Sequence, residues 1–132
     1  MTTVVDASVV VAALVDVGDL GVWAEELIAS DPLAAPHLLP VEVASALQRS
    51  AAAGAISGDS ATLAHADLVD LRVELFAYAP IAERIWELRH TVTAYDAWYV
   101  ALAERLEAPL ATLDHRLRRA PGIRCTITAP DR

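Results

Sequence analysis

The 132-residue sequence has the length of one ordinary globular domain and too little for two, so residues 1–132 are read as a single domain. Apolar residues make up 55% of it but aromatics only 5%, leaving Ala, Val and Leu to fill the core; the one cysteine, Cys125, cannot close an internal disulfide and suits a reducing, cytoplasmic setting. A net charge of −8 excludes a general nucleic-acid coat protein but not an enzyme whose acids are neutralised locally by cations, and because all ten basic residues are arginine, any mechanism that needs a lysine is excluded too.

The chain opens on Met-Thr-Thr-Val-Val-Asp, which lacks the basic start of a signal peptide, and its longest apolar stretch, Val9 to Val15, is too short to cross a bilayer. A soluble protein without membrane contact is expected. A buried strand is predicted at 2–5 and a helix from about Ser8 to Leu14, broken at Val17-Gly18-Asp19 and followed by an amphipathic helix through Trp23, Leu27 and Ile28. A short strand at 33–35 leads to Pro36, and Pro40 suits the first turn of a helix that runs to about Ala53, before Gly54. Ser57-Gly-Asp-Ser opens a helix over 61–71; 73–78 reads as a strand and 81–89 as a helix. The clearest helix covers 94–107 and stops before Pro109; a strand at 110–112, a helical turn at 115–119 and a strand at 123–128 complete the chain. Strands alternating with helices, without tight hairpins, predict an α/β fold with a mainly parallel sheet flanked by helices on both faces. Sites in such folds gather beyond the carboxyl ends of the strands.

Four acids fall where that rule points. Asp6 directly follows the first strand, and Asp114 follows the 110–112 strand by two residues. Glu42 and Asp96 each lie in the first turn of a helix. Each has an ordinary explanation: Asp6 and Asp114 as helix caps, Glu42 and Asp96 as complements to helix dipoles. Asp96 resists it best, because it falls inside the apolar stripe of Val92, Tyr99, Ala103 and Leu106, with Glu104 and Arg105 on the opposite, wet face. A carboxylate on a buried stripe is costly unless it is paired or bound to a metal. Glu42 shares the polar side of its helix with Ser45 and Arg49 and is equally explained by solvation. If the four converge, they cannot all stay ionised without a compensating cation, and an oxygen-only donor set suits Mg²⁺ or Mn²⁺ rather than zinc. Such ions activate water and stabilise charge on a phosphodiester. Ser8 and Thr112, each two residues from an acid, are either hydrogen-bond partners of the pocket or ordinary turn residues.

These segments resemble the PIN-domain family, and within it the VapC-type toxins of toxin–antitoxin modules. Val4-Val5-Asp6-Ala7-Ser8 is similar to its opening motif, Pro40-Val41-Glu42-Val43-Ala44-Ser45-Ala46-Leu47 to its glutamate helix, and Leu110-Ala111-Thr112-Leu113-Asp114 to its fourth motif. Tyr95-Asp96-Ala97-Trp98-Tyr99-Val100-Ala101-Leu102-Ala103 is very close to the third motif, the most specific of the set. The order and spacing match over nearly the whole chain; the departures are Ser8, where the family often has Asn or Thr, and Leu113, where it has a basic or small residue. The resemblance implies a three-layer PIN-like fold and a Mg²⁺-dependent endoribonuclease (Mn²⁺ also serving) that hydrolyses RNA phosphodiester bonds. Asp6 and Asp96 would be the principal metal ligands, with Glu42 and Asp114 completing the pocket or holding a second ion. It further implies a VapB-like antitoxin, one of whose arginines would pair with the carboxylates in place of the cation.

A homodimer is expected from apolar surplus: Val11, Leu14, Val15, Leu20, Trp23 and Leu27 on the helix pair at 8–28 exceed what one face needs. His37, His65, His90 and His115 show no ligand spacing; Trp23, Trp86 and Trp98 read as core or interface residues. Arg116, Arg118, Arg119 and Arg124 form a basic cluster beyond Asp114, either solvated or gripping an RNA backbone. Among rival readings, a phosphorylated receiver would need a lysine, and a metal-dependent phosphatase would want Asp where Ser8 stands. A catalytically silent PIN-like binding scaffold is the remaining alternative, against which stands the presence of all four acids.

Overall fold

Strand β1 (Thr3–Val5) is buried along its whole length, as a TVV run with apolar groups on both faces requires. It is the middle of a five-stranded, all-parallel sheet of order β3-β2-β1-β4-β5, with β2 at Leu33–Pro36, β3 at Val73–Phe76, β4 at Leu110–Ala111 and β5 at Ile127–Thr128. The computed structural model describes residues 1–131. Val4 pairs with Ala34 on one side and Leu110 on the other. All parallel pairs need crossovers, and the helices supply them: α1 (Ala7–Val15) and α2 (Asp19–Ser30), α3 (Leu39–Ala52) and α4 (Gly58–Asp70), then α5 (Ala82–Glu87) and α6 (Ala94–Leu106). Two crossovers step outward from β1 to β3, and the third returns to β4. Right-handed connections therefore put α1 to α4 on one face and α5 and α6 on the other. The packing agrees, with α1 against α2, α3 and α4, and α6 against α5 and β1. This is the expected three-layer α/β arrangement.

The core is aliphatic, with Leu39, Val43, Leu102 and Leu110 fully or almost fully buried beside Val4, Val5, Val9 and Val10. α1 and α2 meet at a bend of 112°. Gly21 permits it, because a Cβ there would overlap the carbonyl oxygen of Asp16. Among the described residues no single helix is long and apolar enough to cross a membrane.

Several boundaries differ from expectation for local reasons. β3 stops at Phe76 rather than at residue 78, because Tyr78 leads into a 3₁₀ turn, Ala79–Ile81, that carries Pro80. The helix expected over 81–89 is therefore split between that turn and α5. The last strand is only β5, since Gly122 at φ +81° turns the chain after Pro121 and leaves Cys125 in a loop. Burial there pushes the Cys125 thiol up to about 11, so it stays protonated and inert. Val11, Leu14, Val15, Trp23 and Leu27, expected as interface surplus, instead pack against the core, and of that set only Leu20 is exposed. Glu104 is not on a wet face either: its side chain is 11% exposed and pairs with Arg84 at 2.7 Å.

Candidate active site

Between β1 and β4 the strand order reverses, and the crevice beyond the carboxyl ends of those strands is where parallel sheets bind ligands. Asp6 stands there as the N-cap of α1: Oδ1 accepts the Ser8 amide at 2.6 Å, and Oδ2 accepts the Thr112 hydroxyl at 2.6 Å. Thr112 is fully buried, and its oxygen also accepts the Asp114 amide at 3.0 Å. Ser8 Oγ in turn accepts the Leu113 amide at 3.1 Å. Ser8 and Thr112 thus stitch the ends of the two central strands together and fix both oxygens of Asp6. The capping explanation of Asp6 and Asp114 holds as well, for Asp114 caps the 3₁₀ turn His115–Arg119 by accepting the Arg116 amide at 3.0 Å.

Asp96 arrives from the opposite face of the sheet, in the first turn of α6, whose N-cap Thr93 accepts the Asp96 amide at 3.2 Å. Its carboxyl is held above the usual range, first by burial and then by the negative charges of Asp6 and Asp114; Arg116 and Thr93 pull it partly back. Glu42, in the first turn of α3, is half-buried rather than simply solvated. Its carboxyl is raised by burial, a shift opposed by a hydrogen bond from Tyr99 and reinforced by Asp6 and Asp96. The Tyr99 hydroxyl donates to Glu42 Oε1 at 2.6 Å, and burial followed by that carboxylate pushes the phenol far above its ordinary value, so it remains a donor. Glu42 and Asp96, from two different helices, therefore both feel the charge of Asp6, and Glu42 that of Asp96 as well, in a partly desolvated crevice.

Asp114 differs. Arg116 grips it with Nε to Oδ1 at 3.0 Å and Nη2 to Oδ2 at 2.8 Å, and that bond holds the carboxyl below the usual range. The Arg116 side chain is 88% exposed, so the clamp lies at the rim. Among the described residues no three acidic, histidine or cysteine side chains are arranged to hold one ion as they stand. The donor chemistry nevertheless fits a hard divalent cation: every candidate ligand atom is a carboxylate oxygen, and the upward shifts of Asp96 and Glu42 are what a nearby positive charge would relieve.

A cavity of about 550 Å³ opens beside Asp96 and Asp114, with Arg89, His90, Arg116 and Arg119 also on its wall. The basic cluster read from sequence is thereby divided. Arg116 and Arg119 face this cavity, whereas Arg118 reaches the Ala129 carbonyl at 3.4 Å and the Arg124 amide is bound to Glu104 at 2.8 Å. Two participants escaped the sequence reading. Tyr99 looked like one more stripe residue, although its spacing of three from Asp96 was a signal that both share a helix face. Arg89 lies only seven residues before Asp96, but nothing in its local pattern marked it as lining the same cavity. Trp98 packs edge-on against Tyr78 at 5.3 Å, whereas Trp86 is 65% exposed and so is not a core residue of this chain.

Comparison with known proteins extends these observations. A family model described as "PIN domain" matches residues 3–123. Ribonuclease VapC1 of Mycobacterium tuberculosis is 43% identical over 125 residues, covering 94% of each chain. The VapC ribonuclease Mb0985 of Mycobacterium bovis is 40% identical over 129 residues, 98% of each. Among solved structures, a chain of VapBC2 from Rickettsia felis, bound to a DNA fragment from its promoter, superposes with a TM-score of 0.70 over 99% of this chain and 100% of that one, at 16% identity.

Proposed function

The chain belongs to the PIN-domain family, and from that premise we propose that it is a Mg²⁺- or Mn²⁺-dependent endoribonuclease, the toxin of a toxin–antitoxin pair. The observation that carries the reading is the convergence of Asp6, Asp96 and Glu42 at the point where the strand order reverses, with the Asp96 carboxyl raised by burial and then by the charges of Asp6 and Asp114. Relatives at 40–43% identity that are named ribonucleases support the choice of RNA.

Asp6 and Asp96 would hold the cation, Glu42 would complete the pocket, and Asp114 would join once Arg116 releases it. When bound, the ion supplies a more acidic water and a positive charge beside the phosphodiester. The chain's own groups do the positioning. The Ser8 amide and Thr112 hydroxyl leave Asp6 one orientation, and the Tyr99 phenol does the same for Glu42. Arg116, tied to Asp114 at the rim, can swing to a non-bridging phosphate oxygen without crossing the core.

A VapB-like antitoxin would silence the enzyme by placing an arginine among the carboxylates whose repulsion the cation otherwise relieves. A homodimer in the cytoplasm completes the reading, with the exposed Val17, Leu20 and Val22 around the α1–α2 turn as its apolar contribution. Purified protein incubated with total cellular RNA is the test: cleavage should appear with Mg²⁺ or Mn²⁺, stop on adding EDTA and return when the metal is restored. Intact RNA under every metal condition would leave only a silent scaffold.

A further inference from the structure

The cavity beside Asp96 and Asp114 holds more positive charge than the acids alone explain. Three of the ten arginines of an acidic chain, Arg89, Arg116 and Arg119, stand on its wall. Arg116 is occupied with Asp114, but among the described residues Arg89 and Arg119 form no ion pair, and both are exposed. Arg89 is held in place all the same. Its guanidinium lies over the Trp86 ring at 4.8 Å, and Nη1 donates to the Trp86 carbonyl at 2.8 Å. Trp86 itself is 65% exposed, far more than a tryptophan used for packing.

We propose that this wall is the seat for the stretch of single-stranded RNA next to the scissile bond. Arg89 and Arg119 take phosphate oxygens on one side of the carboxylates, and Trp86 takes an unstacked base. The inference rests on the ribonuclease reading for the position of the scissile bond, not for the binding itself. The chemistry of the wall selects such a ligand. Guanidinium groups match phosphate geometry, and an exposed indole beside one is the arginine–aromatic pairing on which single-stranded bases stack. A cavity of about 550 Å³ also lies within the range of clefts that hold a nucleotide-sized group. The arrangement resolves the conflict between a net charge of −8 and a polyanionic substrate, because the positive field is confined to the wall where the strand would lie.

The test measures binding without cleavage. Fluorescence anisotropy of a short fluorescein-labelled single-stranded oligoribonucleotide is followed with the Asp96→Asn protein and with the same protein carrying Arg89→Ala and Arg119→Ala. The double arginine change should raise Kd at least about tenfold and make the slope of log K against log salt shallower by about 1.4, the loss of two phosphate contacts to a single strand. Trp86→Ala should raise Kd about tenfold with little change of slope, and Trp86→Phe should restore most of it. Arg72→Ala, an exposed arginine just before β3 at the opposite edge of the sheet, should leave Kd within about twofold and so control for net charge. No binding by Asp96→Asn, an unchanged Kd and slope in the double arginine variant, or an equal loss with Arg72→Ala would each overturn the proposal. If wild-type protein fails to cut RNA while binding still depends on Arg89 and Arg119, the ribonuclease reading falls and the binding wall stands.

Discussion

Thr112 donates its hydroxyl proton to Asp6 Oδ2 at 2.6 Å while its oxygen accepts the Asp114 amide at 3.0 Å, so one buried hydroxyl sets the positions of two acids from different strands. Thr112→Val keeps the shape and removes both bonds. It should cost about 1–3 kcal/mol, the usual cost of leaving a buried polar partner unsatisfied. Activity should fall by roughly 10–100-fold, as when a hydrogen-bond partner of a metal ligand is lost. Thr112→Ser should recover most of both. Urea unfolding and RNA cleavage read the two effects, and a Val variant with wild-type activity would show that Asp6 needs no such support.

Tyr99→Phe isolates the second positioning bond. Without the phenol, Glu42 loses the interaction that holds its carboxyl down against burial, so its raised pKa should rise further. The expected loss of stability is about 1 kcal/mol. Carboxylate titration followed by NMR on labelled glutamate reports the shift directly; a Glu42 curve that does not move would break the assigned contact.

The raised carboxyls make stability depend on pH with a definite sign. Asp96 and Glu42 hold protons in the folded state at pH values where the unfolded chain has released them. Their destabilising effect is therefore full above their raised values and fades as pH falls toward the ordinary carboxylate range near about 4. Metal-free protein should therefore gain stability at these two sites, read as a higher melting temperature, as pH is lowered from neutral through their raised values toward the ordinary carboxylate range. Saturating Mg²⁺ should flatten this rise, as should Asp96→Asn with Glu42→Gln. A rise of the same size in that double variant would place its origin elsewhere.

A structural cluster far from the acids gives an independent check. Arg84 forks onto Glu104 at 2.7 and 3.1 Å and also reaches the Gly122 carbonyl at 2.7 Å, tying α5, α6 and the final loop together. Arg84→Ala should lower stability by about 2 kcal/mol without altering RNA cleavage. The hydrogen bond from Arg84 holds the Glu104 carboxyl below its usual range despite burial, so the pair stabilises above that range and is lost as pH falls through the lowered value. Calorimetry at neutral and acid pH separates this effect from the opposite trend at the active site.

What the sequence made legible follows from where its signals are local. The burial of β1, the caps Asp6 and Asp114 and the start of α6 all depend on residues within a few positions of one another, and each was readable. Asp96 was conspicuous because helical periodicity placed a charge on an apolar stripe. Glu42 was ambiguous for the converse reason: the group that orients it, Tyr99, lies 57 residues away and looked apolar in context. Glu104 was misplaced because its partner sits on a different helix, and the wet-face expectation considered only its own. Arg89 is close to Asp96 in sequence, but that both line one cavity, with the exposed Trp86 against the Arg89 guanidinium, follows from how the chain turns between α5 and α6, and the apolar surplus on α1 and α2 packs against the core.

The proposed activity depends on Asp96 as a member of a charge-repelling, cation-binding site, and Asp96→Asn probes that role without intermediaries. The substitution is nearly isosteric, keeps the backbone amide that Thr93 accepts, and removes one of the mutually repelling charges. Cleavage of total cellular RNA in Mg²⁺ is measured beside the melting temperature in EDTA for wild type and variant. Cleavage should fall at least about a thousandfold, equivalent to roughly 4 kcal/mol of transition-state stabilisation, in a protein that melts at or above the wild-type temperature. An Asp96→Asn protein that cuts RNA at the wild-type rate would contradict that role.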